Sequence, residues 1–266
     1  MTQWINSPSS APEILMNHIS LIPIPGIPQV QPGDDLTTLL LEAIDRANVG
    51  IENGDVIVIC QKVVSKAEGA VIDLKTVEPS PFSQQIATVW EKDPRMMEVV
   101  LRESSRIVRM KNGVVITETK HGWVCANSGV DASNSYGDDI VIVLPKDPDA
   151  SARQIRKTIH ARRNATVAII ITDTFGRPWR DGLVEFALGV AGLDPLLDLR
   201  GQSDLQGREL HHTIVAVADE LAAAAGLLME KGAAIPAVLV RGYRFVPTEE
   251  ADSKPLIRPA EADLFR

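Results

Sequence analysis

Residues 166–182 read Thr-Val-Ala-Ile-Ile-Ile-Thr-Asp-Thr-Phe-Gly-Arg-Pro-Trp-Arg-Asp-Gly, an apolar run that breaks into polar and charged residues. The β-branched and small apolar residues 166–171 predict a buried strand. Directly after it come a carboxylate (Asp173), a hydroxyl (Thr174), Gly176, two guanidinium groups (Arg177, Arg180) and Trp179. Acid, hydroxyl and base at a strand end suit a metal ion and a phosphate. A solvated turn with an Asx cap and ordinary surface charges accounts for the same residues. The site is the preferred reading, because loops after buried strands are where α/β proteins place ligand chemistry.

Outward from that stretch the chain alternates strands with helices. Upstream, Asp35 caps a helix whose apolar positions Leu36, Leu39, Leu40, Ala43, Ile44 and Ala47 fall at helical spacing. Residues 56–60 are apolar throughout and predict a strand covered on both faces, which delivers Gln61, Lys62, Ser65 and Lys66. Residues 83–90 and 94–104 predict helices, the second with Asp93 as cap and Pro94 in its first turn. Residues 114–119 and 123–126 predict a hairpin turned at His121-Gly122, followed by a polar loop over 127–134 that holds Asp131, Ser133 and Asn134. Further on, 139–144 predicts a strand and 151–163 a helix with Ile155 and Ile159 inward. The apolar, glycine-punctuated residues 183–192 can pack under the site, 213–230 predicts an alanine-rich helix, and 235–241 a late strand.

Because strands alternate with helices and also pair as hairpins, the pattern favours an α+β fold, mixed sheets with helices in two interlocked lobes, over a doubly wound parallel sheet. Residues 1–17 are expected to be a loose arm, 18–247 the folded domain and 248–266 a peripheral tail.

The 266 residues suffice for a sizeable core, and with 4% aromatics that core is built from Ala, Val, Ile and Leu. A formal net charge of -8 argues against general nucleic-acid binding. The two cysteines, Cys60 and Cys125, sit in apolar contexts and suit a reducing, cytoplasmic setting better than a bridge. Residues 1–17 lack the basic start and apolar core of a signal peptide, and no apolar run approaches the roughly 20 residues of a membrane span, so no membrane association is expected.

Asp131 and Asp173 each sit in a small-polar stretch after an apolar strand, with Ser133 and Asn134 beside one and Thr174 beside the other. Hard divalent cations prefer oxygen ligands and use one or two carboxylates with substrate phosphates. Two unrelated Asx turns explain the same residues equally well. Neither a P-loop nor a Rossmann glycine pattern is present. Lys66 is placed either as a point charge for a phosphate or as a solvated surface lysine, and Arg177 and Arg180 either as an anion clamp or as scaffold. The histidines, at 160, 211 and 212 among others, lack metal-ligand spacing, and no nucleophile elbow occurs.

Six blocks in order carry a resemblance over residues 19–243: Pro25-Gly26-Ile27-Pro28, Val63-Val64-Ser65-Lys66-Ala67-Glu68-Gly69, residues 127–134, Thr172-Asp173-Thr174-Phe175-Gly176-Arg177-Pro178-Trp179-Arg180, residues 204–210 and residues 235–242. In these the chain resembles the F420 γ-glutamyl ligase family, whose members are coenzyme F420-0:L-glutamate ligases. The resemblance implies a ligase dependent on GTP and Mg²⁺ or Mn²⁺, with K⁺ as a further candidate ion. It would add L-glutamate to the carboxylate of the deazaflavin F420-0, and then further γ-linked glutamates, through an acyl phosphate. It also implies an intertwined homodimer.

Position by position, the resemblance assigns Asp131, Asp173 and Thr174 to the metal. Gly26, Ile27, Pro28, Gln29, Gln61, Lys66 and Asn134 are assigned to the nucleotide, and Lys66, Asp131 and Asp173 to catalysis. After Met229 the family's glycine-rich acidic loop is shortened to Glu230-Lys231-Gly232-Ala233-Ala234. There Glu230 takes a further metal position once a one-residue gap is allowed, and Met229, Lys231 and Gly232 take nucleotide positions. A paralogous ligase with another acceptor, and a non-catalytic nucleotide or deazaflavin binder, are the alternatives.

Overall fold

The computed structural model describes residues 18–133, 137–229, 232 and 234–263. Strand β1 (Ser20–Pro23) leads to helix α1 (Leu36–Arg46), and β2 (Val56–Cys60) runs straight into helix α2 (Gln61–Ala67). A second group follows: β3 (Val71–Asp73), helices α3 (Pro81–Trp90) and α4 (Pro94–Arg102), and strands β4 (Ser104–Lys111), β5 (Val114–Thr119), β6 (Val124–Ala126) and β7 (Ile140–Ile142). Helix α5 (Pro148–Arg163) returns the chain to a long hairpin, β8 (Ala168–Arg177) and β9 (Arg180–Leu193). Short strands β10 (Leu197–Asp198) and β11 (Ile214–Val215), helix α6 (Val217–Gly226), β12 (Ala237–Arg241) and β13 (Pro247–Thr248) complete it.

Local chemistry explains where helices begin. The Asp35 carboxylate accepts the Thr38 N–H at 3.0 Å, Asp93 that of Arg95 at 2.8 Å and Asp147 that of Ala150 at 2.8 Å. Prolines occupy the first turns of α3, α4 and α5, where a missing N–H is harmless.

The first lobe is a six-stranded sheet ordered β1-β12-β2-β8-β9-β13. Only β2 and β8 run parallel; the other neighbours are antiparallel. Alternate residues serve opposite faces, as the two-residue period of a strand requires. Ile57, Ile59, Ile169, Ile171 and Leu239 pack with Leu40, Ile44, Ile155 and Ile159 from α1 and α5. Val56, Val58, Ile170, Val238 and Val240 pack with Val217, Leu221 and Ala225 from α6 on the other side. Helices thus cover both faces, which is why the central strands read as unbroken apolar runs.

The second lobe holds the antiparallel sheet β4-β5-β6 and the β3–β7 ribbon, with α3 and α4. Its own cores gather Val99, Val100, Val130 and Val141, and Ile86, Met97 and Val115. Two lobes of mixed α+β structure are therefore present, as the sequence pattern predicts.

Several expectations change. Strand β8 does not stop at Ile171 but continues to Arg177, so Asp173 and Thr174 stand in a strand, not in the loop after one. Residues 183–192 are the reason: they belong to β9, which keeps pairing with β8 beyond the core, Asp173 opposite Phe186 and Thr174 opposite Glu185. Strand β4 begins at Ser104, where the sequence predicts the last residue of a helix, and its other residues carry no sequence-based assignment. Most of it is exposed, so no apolar alternation marks it. Among the described residues of the predicted helix 213–230, 217–226 are helical, while Ile214 and Val215 pair with β10.

The segment after β13 is tied to the domain. Arg156 of α5 grips Glu249 at 2.7 Å, and the buried Asp149 carboxylate accepts the Ser253 N–H and hydroxyl, each at 3.0 Å. No helix among the described residues is long and apolar enough to cross a membrane.

Helix α5 lies so close to β9 that a Cβ on Gly189 would sit 2.4 Å from the Pro148 carbonyl oxygen. Backbone cannot yield there as a side chain would. Gly189→Ala is expected to lower unfolding free energy by about 2–3 kcal/mol in urea titrations. Gly50→Ala, with nothing within 4 Å, should change it by less than about 0.5 kcal/mol. Equal stabilities for the two variants would contradict this packing.

Candidate active site

The parallel pairing of β2 with β8 sets Cys60 opposite Thr172. The residue after each, Gln61 at the start of α2 and Asp173 in β8, therefore come level at one end of the sheet. Gln61 is 1% exposed, and its carbonyl oxygen accepts the Ser65 hydroxyl at 2.7 Å. That leaves its amide N–H₂ to hydrogen-bond the Asp173 carboxylate. One helical turn on from Lys62 along the same face comes Lys66. It is not a solvated lysine: only 7% of it is exposed. Burial, and then the charge of Lys62, hold its pKa below the ordinary lysine value.

Asp131 arrives from the other lobe. Its backbone bridges to Ile142 of β7, donating at 3.0 Å and accepting at 2.8 Å. Its carboxylate accepts the Ser133 N–H at 2.6 Å, an Asx turn, and the Lys62 ammonium at 2.7 Å. Lys62 also donates to the Ser133 carbonyl and hydroxyl oxygens, each at 2.9 Å. Burial works against the charged form of Asp131. The hydrogen bonds from Lys62 and Ser133 more than offset it and hold the carboxyl below its ordinary pKa.

The two aspartates do meet. Both line one cleft of about 570 Å³ between the lobes, together with Ile27, Pro28, Gln29, Lys62, Lys66, Thr174, Glu185 and Met229. That size suits a small-molecule site. Burial raises the Asp173 pKa to about 7, and the nearby charges of Glu185 and Asp131 add to the rise against the opposing hydrogen bonds of the Thr174 N–H and Gln61. Asp131 thus makes an Asx turn and also lines the same cleft as Asp173, while Asp173 sits in a strand. Gln61 lies behind Asp173. Gly26, with a φ of 78°, holds the turn before Ile27 through its carbonyl, which accepts from Arg46 at 2.8 Å. Gly26 and Gly232 are not among the cleft-lining residues, and Asn134, Glu230 and Lys231 lie outside the described residues.

Two cleft residues carried no role from sequence. Lys62 was visible only as a residue following a strand; its partner lies 69 positions away. Glu185 directly faces Thr174 across the hairpin and accepts both the Thr172 hydroxyl, at 2.8 Å, and the Thr174 hydroxyl. A lone carboxylate within the apolar run 183–192 was its only signal.

Whether these groups suit a divalent ion can be tested on their chemistry. The donors are hard oxygens: the Asp131 and Asp173 carboxylates and the Thr174 hydroxyl. Asp173 is destabilised as an anion by its neighbours, which a cation would relieve. Among the described residues no three His, Cys, Asp or Glu side chains form a ready metal cage. Mg²⁺ and Mn²⁺ are commonly held by one or two carboxylates and complete their shell with phosphate oxygens and water. The Cys60 thiol at the cleft wall is pushed up to about 12 by burial and stays protonated, which leaves it no role as a thiolate nucleophile.

With this geometry in view, comparison with known proteins is direct. The sequence profile of the family "F420-0:Gamma-glutamyl ligase" matches residues 26–242. A "Coenzyme F420:L-glutamate ligase" from Methanothermobacter thermautotrophicus is 46% identical over 250 residues, covering 93% of this chain and 99% of the relative. Proteins of the same name from Methanopyrus kandleri (47% identity; 92% of this chain, 96% of theirs) and Methanocaldococcus jannaschii (47%; 83% and 88%) are similarly close. The chain is accordingly an enzyme of the ligase class, forming a carbon–nitrogen bond. It belongs to the F420-0:gamma-glutamyl ligase family.

The Lys62–Asp131 pair joins the two lobes and is testable apart from any activity. In a double-mutant cycle with Lys62→Met and Asp131→Asn, the expected coupling is about 1 kcal/mol of unfolding free energy at low salt. Additive effects would mean the contact does not form in solution.

Proposed function

We propose that the chain joins L-glutamate to the terminal carboxylate of coenzyme F420-0 at the expense of GTP, and that a divalent ion, Mg²⁺ or Mn²⁺, assists. The observation that carries this reading is the convergence in one cleft of Asp131 and Asp173, from different lobes, with the lysines Lys62 and Lys66. The name the relatives share and the name of the family point to the acceptor and donor.

The chemistry asks for charge control. The acceptor carboxylate attacks the γ-phosphorus of GTP, GDP leaves, and an acyl phosphate forms. The amine of glutamate then attacks the acyl carbon, phosphate leaves, and the amide remains. An anionic nucleophile must approach an anionic phosphate, so positioning and neutralisation supply most of the catalysis. Lys66, buried and cationic, contributes positive charge at the wall where residues 27–29 also stand. Asp131, Asp173 and Thr174 would hold the divalent ion, which when bound withdraws charge from phosphate oxygens. Lys62 neutralises Asp131. Were a divalent ion held by Asp131, the Lys62 ammonium would be released from that carboxylate and could pair with phosphate oxygens.

We also expect the homodimer that the family resemblance implies. Val114 and Val124 of the β4-β5-β6 sheet are exposed on one face and could contribute to such a contact.

Incubation with F420-0, GTP and L-glutamate is expected to yield a product heavier by one glutamate residue, with GDP release that requires F420-0. Asp173→Asn should keep the fold by circular dichroism and lose ligation by at least about 100-fold. Full activity of that variant, or no product from the wild type, contradicts the reading.

A further inference from the structure

The tip of the β8–β9 hairpin carries features that neither the core nor the cleft chemistry explains. Pro178 and Trp179 form the two-residue turn between the strands. Proline suits the first central position, but Trp179 sits at φ 58°, in the left-handed region that turns reserve for glycine or asparagine. A bulky aromatic held there is a costly choice, and such costs gather at functional sites. The same tryptophan is 78% exposed, and Leu183 beside it 61%.

Next to the turn, Arg177 and Arg180 are register partners, directly opposite one another across the hairpin. Like charges in that relation repel. Among the described residues neither guanidinium forms an ion pair with a carboxylate. The Arg177 Nε is buried with no hydrogen-bond partner, and its Nη2 reaches only the Asp181 carbonyl, at 3.4 Å. In a protein of net charge -8, carboxylates are plentiful elsewhere. A pair of opposed cations without acidic partners is a site waiting for an anion.

The tip adjoins the cleft. Gly176 and Leu183, themselves a register pair, line its mouth, and the stacked rings of Phe175 and Phe186 lie one step further in. Four residues separate Asp173 from Arg177 along β8, roughly 13 Å at the rise of a strand. A ligand whose reacting end lies beside Asp173 thus reaches the tip only if it is long.

We propose that Trp179, Arg177, Arg180 and Leu183 form the binding subsite for the deazaflavin part of the acceptor, the planar ring stacked on Trp179 and the anionic chain running between the arginines toward Asp173. This assignment rests on the function proposed above. It matches a long acceptor with a flat aromatic end and an acidic end, and it separates that subsite from the one for GTP at residues 27–29 and Lys66. Glutamate, too short to span the distance, makes no contact at the tip.

The test is steady-state kinetics of the full-length protein with F420-0, GTP and L-glutamate each varied, together with equilibrium dialysis of F420-0. Trp179→Ala and Arg180→Ala should each raise the KM and dissociation constant for F420-0 by roughly tenfold or more. KM for GTP and glutamate should stay within about twofold, since those ligands do not touch the tip. Trp179→Phe should recover most of the lost affinity, because stacking needs a ring and not the indole N–H. Arg177→Ala with Arg180→Ala should weaken F420-0 more than either alone. If the wild type ligates F420-0 and these variants leave its KM unchanged, the subsite is wrong while the function stands. If Trp179→Ala instead alters the oligomeric mass in light scattering with unaltered F420-0 affinity, the tip is a protein contact and the subsite is likewise overturned. Absence of turnover in the wild type removes the function itself, and the subsite with it.

Discussion

Five residue pairs in parallel register between β2 and β8, ending at Cys60 opposite Thr172, hold the site together. That one register makes the N-terminus of α2 and the Asp173 carboxylate neighbours although more than a hundred residues separate them. Slipping it by one residue would turn every side chain of a strand to the other face and empty both cores into the wrong layers. The alternation of Ile57 and Ile59 against Val56 and Val58, matched by Ile169 and Ile171 against Ala168 and Ile170, locks the register through burial. Packing that would exist for stability alone thereby fixes the chemistry at the strand ends.

On this platform the charges are arranged against their own preference. Three carboxylates, Asp131, Asp173 and Glu185, face a common space, and the field of the other two helps keep Asp173 near neutral pH in its titration. Lys62 neutralises one of them, and the hydroxyls of Thr172 and Thr174 donate hydrogen bonds to another, Glu185. Lys66 is kept buried with its pKa lowered. Such groups stabilise a fold poorly, and their clustering in a cleft is the pattern of a functional site.

Much of this could be read in the residues. The helix caps Asp35 and Asp93, the apolar central strands and the paired hairpin of the second lobe follow from local chemistry. The metal-type residues Asp131 and Asp173 were recognisable as acids after apolar runs. What escaped has a common physical cause. The outer half of β8 faces a cleft rather than a core, so its alternate residues are polar and imitate a loop. Strand β4 is mostly exposed and shows no apolar period. The Lys62–Asp131 pair is a meeting of two lobes, and no local pattern encodes a contact across 69 residues. Glu185 stands alone in an apolar segment, legible only once β9 is seen to pair with β8.

The proposed chemistry requires Asp131 and Asp173 to bind a cation and a nucleotide phosphate as one unit. Titration calorimetry of the protein with a non-hydrolysable GTP analogue, with and without Mn²⁺, tests it most directly. The account predicts tight binding only with the metal, lost in Asp131→Asn and in Asp173→Asn alike. Nucleotide affinity that is the same without metal, and the same in both variants, would contradict it.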